Sequence, residues 1–351
     1  MKKCIILFLL AFMSNSLSAQ TPVKDEKGDY WYTIDSYGNA TLVKHPFNND
    51  GYTGDVVIPD VMTSGGVEYK VTGIGYRAFC GCKILSVKIG NNVTSWGEHA
   101  FSYSTVASAT IGGEYDQLYD NSFISLGWYA FYACENLTSV VIGDNVYGIG
   151  RQAFQNCPNL SYVVLGKKLR SIGASAFFNC DKLADIYCKG ANSPYESGTP
   201  YFEEGRVSSM TLHVPTASAD NYYSTTWGNF GETDKMESEQ LPKCATPEIN
   251  YSSGTISFTC ATEGVEYKSS VEYVENEFNN VSEYPAPSHF RVKVIASKKG
   301  YIPSETAVQE FTLPGYVDVN TGDYKQGDVN KDGNVNVADH VKLVDIILPK
   351  Q

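Results

Sequence analysis

The chain has 351 residues, with 42% hydrophobic and 19% charged side chains, a balance that excludes wholesale disorder and leaves room for two or three folded units. Its net charge of −12 opposes phosphate backbones and anionic membranes, so nucleic acid is excluded as a natural partner. Twenty-five tyrosines favour strands and contact surface.

Residues 1–19 read as a secretory signal peptide: Lys2 and Lys3, an apolar run from Ile5, and small residues before Gln20. The run is too short to span a bilayer, which takes about 20 residues. No other run is longer, so the expectation is a secreted or cell-surface protein without a transmembrane anchor. Cys4 precedes the apolar run and is no lipoprotein cysteine. Residues 20–55 follow as an N-terminal cap, with alternating strand character around Tyr30 and Lys44.

An Ile-Gly-x-x-Ala-Phe-x-x-Cys frame then recurs at 74–82, 126–134, 149–157 and 172–180, with a divergent copy at 96–104 that places Ser104 at the Cys position. Its phenylalanines are Phe79, Phe101, Phe131, Phe154 and Phe177, spaced by 22, 30, 23 and 23 residues, the long interval coming from an insertion at 113–122. Each copy continues into an apolar strand: Ile84/Val87/Ile89, Val106/Ala109/Ile111, Leu137/Val140/Ile142, Leu160/Val163/Leu165 and Leu183/Ile186/Cys188. One such coil cannot bury its own apolar face, whereas stacked coils share a continuous core. The Gly after Ile is expected to take φ > 0 at a tight corner. The pattern resembles the BspA-like leucine-rich repeats of bacterial surface proteins over roughly residues 56–241. That resemblance implies a leucine-rich-repeat solenoid with caps (56–243), and a role in binding extracellular matrix proteins.

If the strands stack in parallel, the residues between the buried ones form two outward columns. One is Ser86, Ser108, Ser139, Tyr162 and Asp185; the other is Lys88, Thr110, Val141, Val164 and Tyr187. Tyr162, Asp185 and Tyr187 beside Val141 and Val164 are the candidate binding face for a protein or glycan. The alternative is that these residues only satisfy β-propensity.

From about Ala245 the period becomes two: Ile249/Tyr251, Ile256/Phe258/Cys260, Val265/Tyr267, Phe290/Val292/Val294/Ala296 and Phe311/Leu313. Residues 244–314 thus read as a small antiparallel β-sandwich, resembling the immunoglobulin-like accessory domains of exported bacterial proteins. Residues 315–327 read as a linker. The fold class is therefore mostly β: a leucine-rich-repeat solenoid, an immunoglobulin-like sandwich, and a short calcium loop plus helix.

That loop is the strongest chemical signal. Asp328, Asn330, Asp332, Asn336 and Asp339 place oxygen side chains at positions 1, 3, 5, 9 and 12, Gly333 supplies the turn at position 6, and Asn334 offers its carbonyl. This spacing wraps hard oxygen ligands around one Ca²⁺, the expected cofactor. A solvated Asx-rich turn is the alternative. Residues 328–351, with Asp339 in place of Glu and no preceding helix, resemble a dockerin repeat, which implies a cohesin-type receptor. A dockerin has two such loops in tandem, and only a partial echo at 318–323 accompanies this one.

Eight cysteines follow the signal peptide. An even count in an exported chain allows disulfides. Cys82, Cys134, Cys157 and Cys180 share one repeat position, which favours a ladder of buried thiols. Cys244 and Cys260 flank a hairpin and are placed to pair or to stay free. Cys80 and Cys82 lack the second pair a zinc site needs. The histidines (His45, His99, His213, His289, His340) are scattered, Glu203 and Glu204 sit in a loop, and no nucleophile, phosphate or dinucleotide motif occurs. The sequence points to a non-enzymatic adhesion or recognition protein that binds a host or bacterial surface macromolecule. A scaffolding component docked through the calcium tail is the second reading.

Overall fold

In the computed structural model the described residues are 21–26, 30–48, 51–113, 124–196, 200–203, 205–236, 241–252, 255–273 and 288–313. The residues expected to form a signal peptide, most of the insertion, and residues 328–351 with the expected calcium loop and His340 lie outside them.

The N-terminal cap begins with an antiparallel meander of β1 (Val23–Lys24), β2 (Trp31–Ile34) and β3 (Asn39–Val43). β4 (Thr53–Ile58) leaves it to start a long sheet, and β5 (Val61–Ser64) forms a hairpin with β6 (Val67–Ile74), which pairs with β3 in parallel. The coils then alternate long and short strands: β7 (Lys83–Ile89), β8 (Ser95–Trp96), β9 (Ser108–Ile111), β10 (Ile124–Ser125), β11 (Ser139–Ile142), β12 (Val146–Ile149), β13 (Tyr162–Leu165), β14 (Ser171–Ile172), β15 (Asp185–Cys188), β16 (Tyr195–Glu196) and β17 (Thr211–Pro215). Helix α1 (Ala219–Tyr223) and β18 (Glu232–Met236) close the C-terminal end.

The long strands form one eight-stranded parallel sheet in the order β18-β17-β15-β13-β11-β9-β7-β4. The short strands β10, β12, β14 and β16 form a second parallel sheet. A turn carrying Ala-Phe joins each short strand to the next long one. β17 lies one coil beyond the five copies and pairs with β15 in parallel.

Between the sheets, the repeat phenylalanines stack face to face. Ring centroids are 4.6 Å apart for Phe79 and Phe101, 4.8 Å for Phe101 and Phe131, and 5.4 Å for Phe131 with Phe154 and for Phe154 with Phe177. Phe202 extends the column as a sixth member at 5.5 Å. Trp227, Tyr222 and Phe230 seal its end against Tyr201 and Phe202.

The frame glycines act differently from the expectation above. Gly97, Gly150 and Gly173 have no positive φ; a Cβ on them would come within 2.2–2.5 Å of backbone atoms of the preceding coil. They permit coil-to-coil approach. The left-handed conformation falls two residues later, on Arg77, His99, Tyr129, Gln152 and Ser175, and again four residues on, at Gly81, Tyr103, Ala133, Asn156 and Asn179. Alternating handedness turns successive N–H groups toward the next coil: Arg77, Phe79 and Gly81 donate to Glu98, Ala100 and Ser102, and the later copies repeat this. The turn edge is thereby locked by its own hydrogen-bond ladder.

The cysteines at the ninth frame position form the thiol ladder. Sγ of Cys134, Cys157 and Cys180 donates to the carbonyls of Phe101, Phe131 and Phe154 at 3.1–3.2 Å, and all eight described cysteines are free thiols. Burial pushes the Cys157 thiol well up and that of Cys180 to about 12. At pH 8 Cys157 and Cys180 carry almost no thiolate, so a thiol reagent is expected to leave these two rungs unmodified in the native protein and to titrate all eight cysteines after denaturation without reductant. A shortfall in the denatured count would reveal disulfides and overturn the ladder.

The C-terminal module contains a hairpin, β19 (Glu248–Ser252) with β20 (Thr255–Thr259), and an antiparallel sheet of β21 (Glu266–Tyr273), β22 (Ser288–Ser297) and β23 (Ala307–Leu313). Ile256 and Val292 are buried between them among Ile249, Phe258, Val271 and Phe311. Five strands lie among the described residues, where an immunoglobulin domain has seven or more. Cys260 donates to the Ala245 carbonyl at 3.2 Å.

Candidate recognition surfaces

The two outward columns have the register read from the frame. Ser86, Ser108, Ser139, Tyr162 and Asp185 pair in sequence across β7, β9, β11, β13 and β15, and so do Lys88, Thr110, Val141, Val164 and Tyr187. The C-terminal module lies across most of the two columns and leaves Lys88 exposed. Val141, Tyr162, Val164 and Tyr187 form one buried cluster with Met236, Leu241 and Ile302, and Leu85 and Ala107 bury Ile295 of β22. The Tyr162 hydroxyl donates to the Tyr301 carbonyl at 3.0 Å, and burial pushes the phenols of Tyr162 and Tyr187 upward.

Polar contacts bracket this seam. At one end Asp55 accepts from Ser86 Oγ at 2.6 Å and Thr306 Oγ1 at 3.0 Å, and lies 4.0 Å from Lys293 Nζ. At the other end Asp185, 1% exposed, meets His213 Nε2 at 2.8 Å and Lys299 Nζ at 2.9 Å. The second nitrogen of His213 faces Asp234 at 3.3 Å, and its ring stacks on Tyr187 at 4.1 Å. A buried carboxylate without such partners would cost several kcal/mol. The chain near residue 242 is stitched to the module by backbone bonds between Cys244 and Ile302 and between Ile302 and Pro242, both 2.8 Å. The five residues expected to bind a ligand thus form an internal interface in this state, for want of any exposed atoms to present.

The turn edge is open. Counting along the frame, its third position carries Tyr76, Glu98, Trp128, Arg151 and Ala174, and its eighth carries Gly81, Tyr103, Ala133, Asn156 and Asn179. Tyr76, Tyr103 and Trp128 are 62%, 58% and 54% exposed. His99 stacks on Tyr129 at 4.6 Å, and Tyr132 stands edge-on to Tyr103 and Tyr129 at 5.6 and 5.7 Å. Ser102 Oγ donates its single proton to the Tyr129 carbonyl at 2.7 Å, so His99 Nδ1, 3.0 Å away, is the donor to Ser102 Oγ, and Nε2 of the neutral ring is an acceptor. Beyond the rings runs a row of amides: Asn156 Nδ2 donates to the Tyr132 hydroxyl at 2.9 Å and Asn179 Nδ2 to Asn156 Oδ1 at 2.6 Å, with Gln152 bonded to Gln155. Laying out the turn positions in columns, as for the strands, would have exposed this patch in the sequence.

The remaining sequence candidates stay apart. His45 packs on Trp31 and Tyr52 in the N-terminal cap, far along the chain from His213. The described residues hold no group of three His, Cys, Asp or Glu side chains fit for a metal, and no helix long and apolar enough to cross a membrane. Asp328, Asn330, Asp332, Asn334, Asn336 and Asp339 lie outside the described residues, as does Glu204.

A model of the BspA type leucine-rich repeat region matches in six copies over residues 62–126 and 119–222. Among solved structures, a leucine-rich repeat protein from Bacteroides capillosus is 23% identical, covering 49% of this chain and 100% of that one, with a TM-score of 0.33. The T. pallidum leucine-rich repeat protein is 22% identical, covering 62% and 83%, at 0.39. A leucine-rich cell surface protein from Faecalibacterium prausnitzii is 21% identical, covering 52% and 58%, at 0.29. No curated protein matches. The repeats at residues 62–222 are thus of the BspA type, a class whose role is suggested to be protein interaction or recognition.

Proposed function

We propose that the chain is an exported cell-surface adhesion protein whose solenoid binds a macromolecule on a host or bacterial surface. The observation that carries this reading is the exposed aromatic patch on the turn edge, Tyr76, Tyr103 and Trp128 around the His99–Tyr129–Tyr132 cluster. Large rings left in water by a rigid scaffold supply contact area at little entropic cost. The signal-peptide pattern supports export, and the repeat type supports recognition over catalysis. The C-terminal tail is proposed to hold one Ca²⁺ through Asp328, Asn330, Asp332, Asn334, Asn336 and Asp339, and to serve attachment or stability.

Pull-down from host-matrix and bacterial-surface extracts tests both parts. Tyr103→Ala/Trp128→Ala is expected to lower capture about tenfold, as loss of two anchor rings does, while chelator leaves capture by the patch intact. Undiminished capture by the double variant would sink the patch as the binding surface. Capture lost to chelator alone would favour the scaffolding reading, docked through the calcium tail.

A further inference from the structure

Resting on the recognition reading above, we propose that the turn edge of the second to fifth copies is a platform for a neutral polysaccharide. The fold does not require rings there. The same left-handed positions are filled by Gln152, Ser175, Asn156 and Asn179 in the later copies and by Gly81 in the first, with the same inter-coil ladder. His99, Tyr103 and Tyr129 adopt φ of 57–60°, a conformation unfavourable to bulky side chains. A ring at a strained, exposed turn position such as Tyr103 therefore reflects what it touches, and among the described residues Tyr103 and Trp128 stay 58% and 54% exposed.

The chemistry around the rings identifies the ligand class. Pyranose rings offer apolar C–H faces, which stack on Tyr and Trp, and equatorial hydroxyls, which pair with planar amides. The edge supplies both in sequence: rings at Tyr103, Trp128, Tyr129 and Tyr132, then amides at Gln155, Asn156 and Asn179. Successive coils repeat every 4.6–5.5 Å along the phenylalanine column, so a linear polymer meets rings and then amides as it advances. Charge is mixed, with Arg77 spent over the Tyr76 ring at 5.4 Å and Glu98 and Arg151 on either side of Trp128 in the third-position column, a pattern that selects neither polyanion nor polycation.

Affinity electrophoresis of the full chain through gels containing dextran, laminarin, mannan or xylan tests this. Retardation by at least one polymer is expected, weakened about tenfold in Tyr103→Ala/Trp128→Ala and unchanged in Tyr195→Ala, an exposed tyrosine on β16. In parallel, periodate cleavage of sugar diols in the surface extracts is expected to abolish patch-dependent capture. No retardation by any polymer, together with capture that survives periodate, overturns the glycan assignment while leaving patch-mediated recognition standing. Retardation that both variants retain overturns the site.

Discussion

Replacing Phe131 by alanine is expected to destabilise the solenoid by about 3–5 kcal/mol, measured by urea denaturation. The ring is fully buried between Phe101 and Phe154, within 10° of parallel to both. Its removal loses transfer energy, two stacked contacts and the surface beneath the Cys157 thiol, which bonds the Phe131 carbonyl. The backbone there is pinned by Phe131 N–H to Ala153 at 2.7 Å, so the coils cannot collapse to fill the gap. Each coil touches only its neighbours, and a break in the middle uncouples the two ends. Trp31 in the N-terminal cap reports on one side and Trp227 on the other, so their transitions should separate in the variant and coincide in the wild type. A loss below about 1 kcal/mol with coincident transitions would show that the column is not what couples the coils.

The second large effect concerns the seam. Ile295→Asp is expected to release the C-terminal module from the strand face, since an unpaired carboxylate cannot stay between Leu85 and Ala107 without a cost of several kcal/mol. Amide exchange and limited proteolysis should show new exposure at Tyr162, Tyr187 and residues 299–306, while the solenoid transition stays put. The solenoid has its own core of stacked rings, independent of Ile295. Protection unchanged from wild type would mean that the ion pairs of Asp55 and Asp185 hold the module without the apolar seam. Release also bares Val141, Tyr162, Val164, Asp185 and Tyr187, which allows their own binding capacity to be measured directly.

Strand register was legible because identical frames stack in only one way. Once the Phe spacing is known, Ser139 must lie beside Tyr162 and Val141 beside Val164, and they do. The thiol ladder followed from the same argument, four cysteines at one frame position being one stacked row. The role of the frame glycines was not legible: a missing Cβ answers equally to positive φ or to a close neighbour, and only the packed coils distinguish them. Nor was the cover over the strand face, although a trace of it was present. In β22 the module's own core takes Val292, while Ile295 is apolar on the opposite face, where a solvated strand would carry a polar residue.

The sequence by itself therefore determined the repeat, its register, the buried thiols and the outward columns, because each depends on contacts between neighbouring copies of one pattern. Tertiary structure alone decided which surface remains open. The contacts of Thr306 with Asp55, Tyr301 with Tyr162 and Lys299 with Asp185 join residues 114 to 251 positions apart, and no local period encodes such a pairing. With the strand face largely covered, the large rings left in water include Tyr76, Tyr103 and Trp128 on the turn edge.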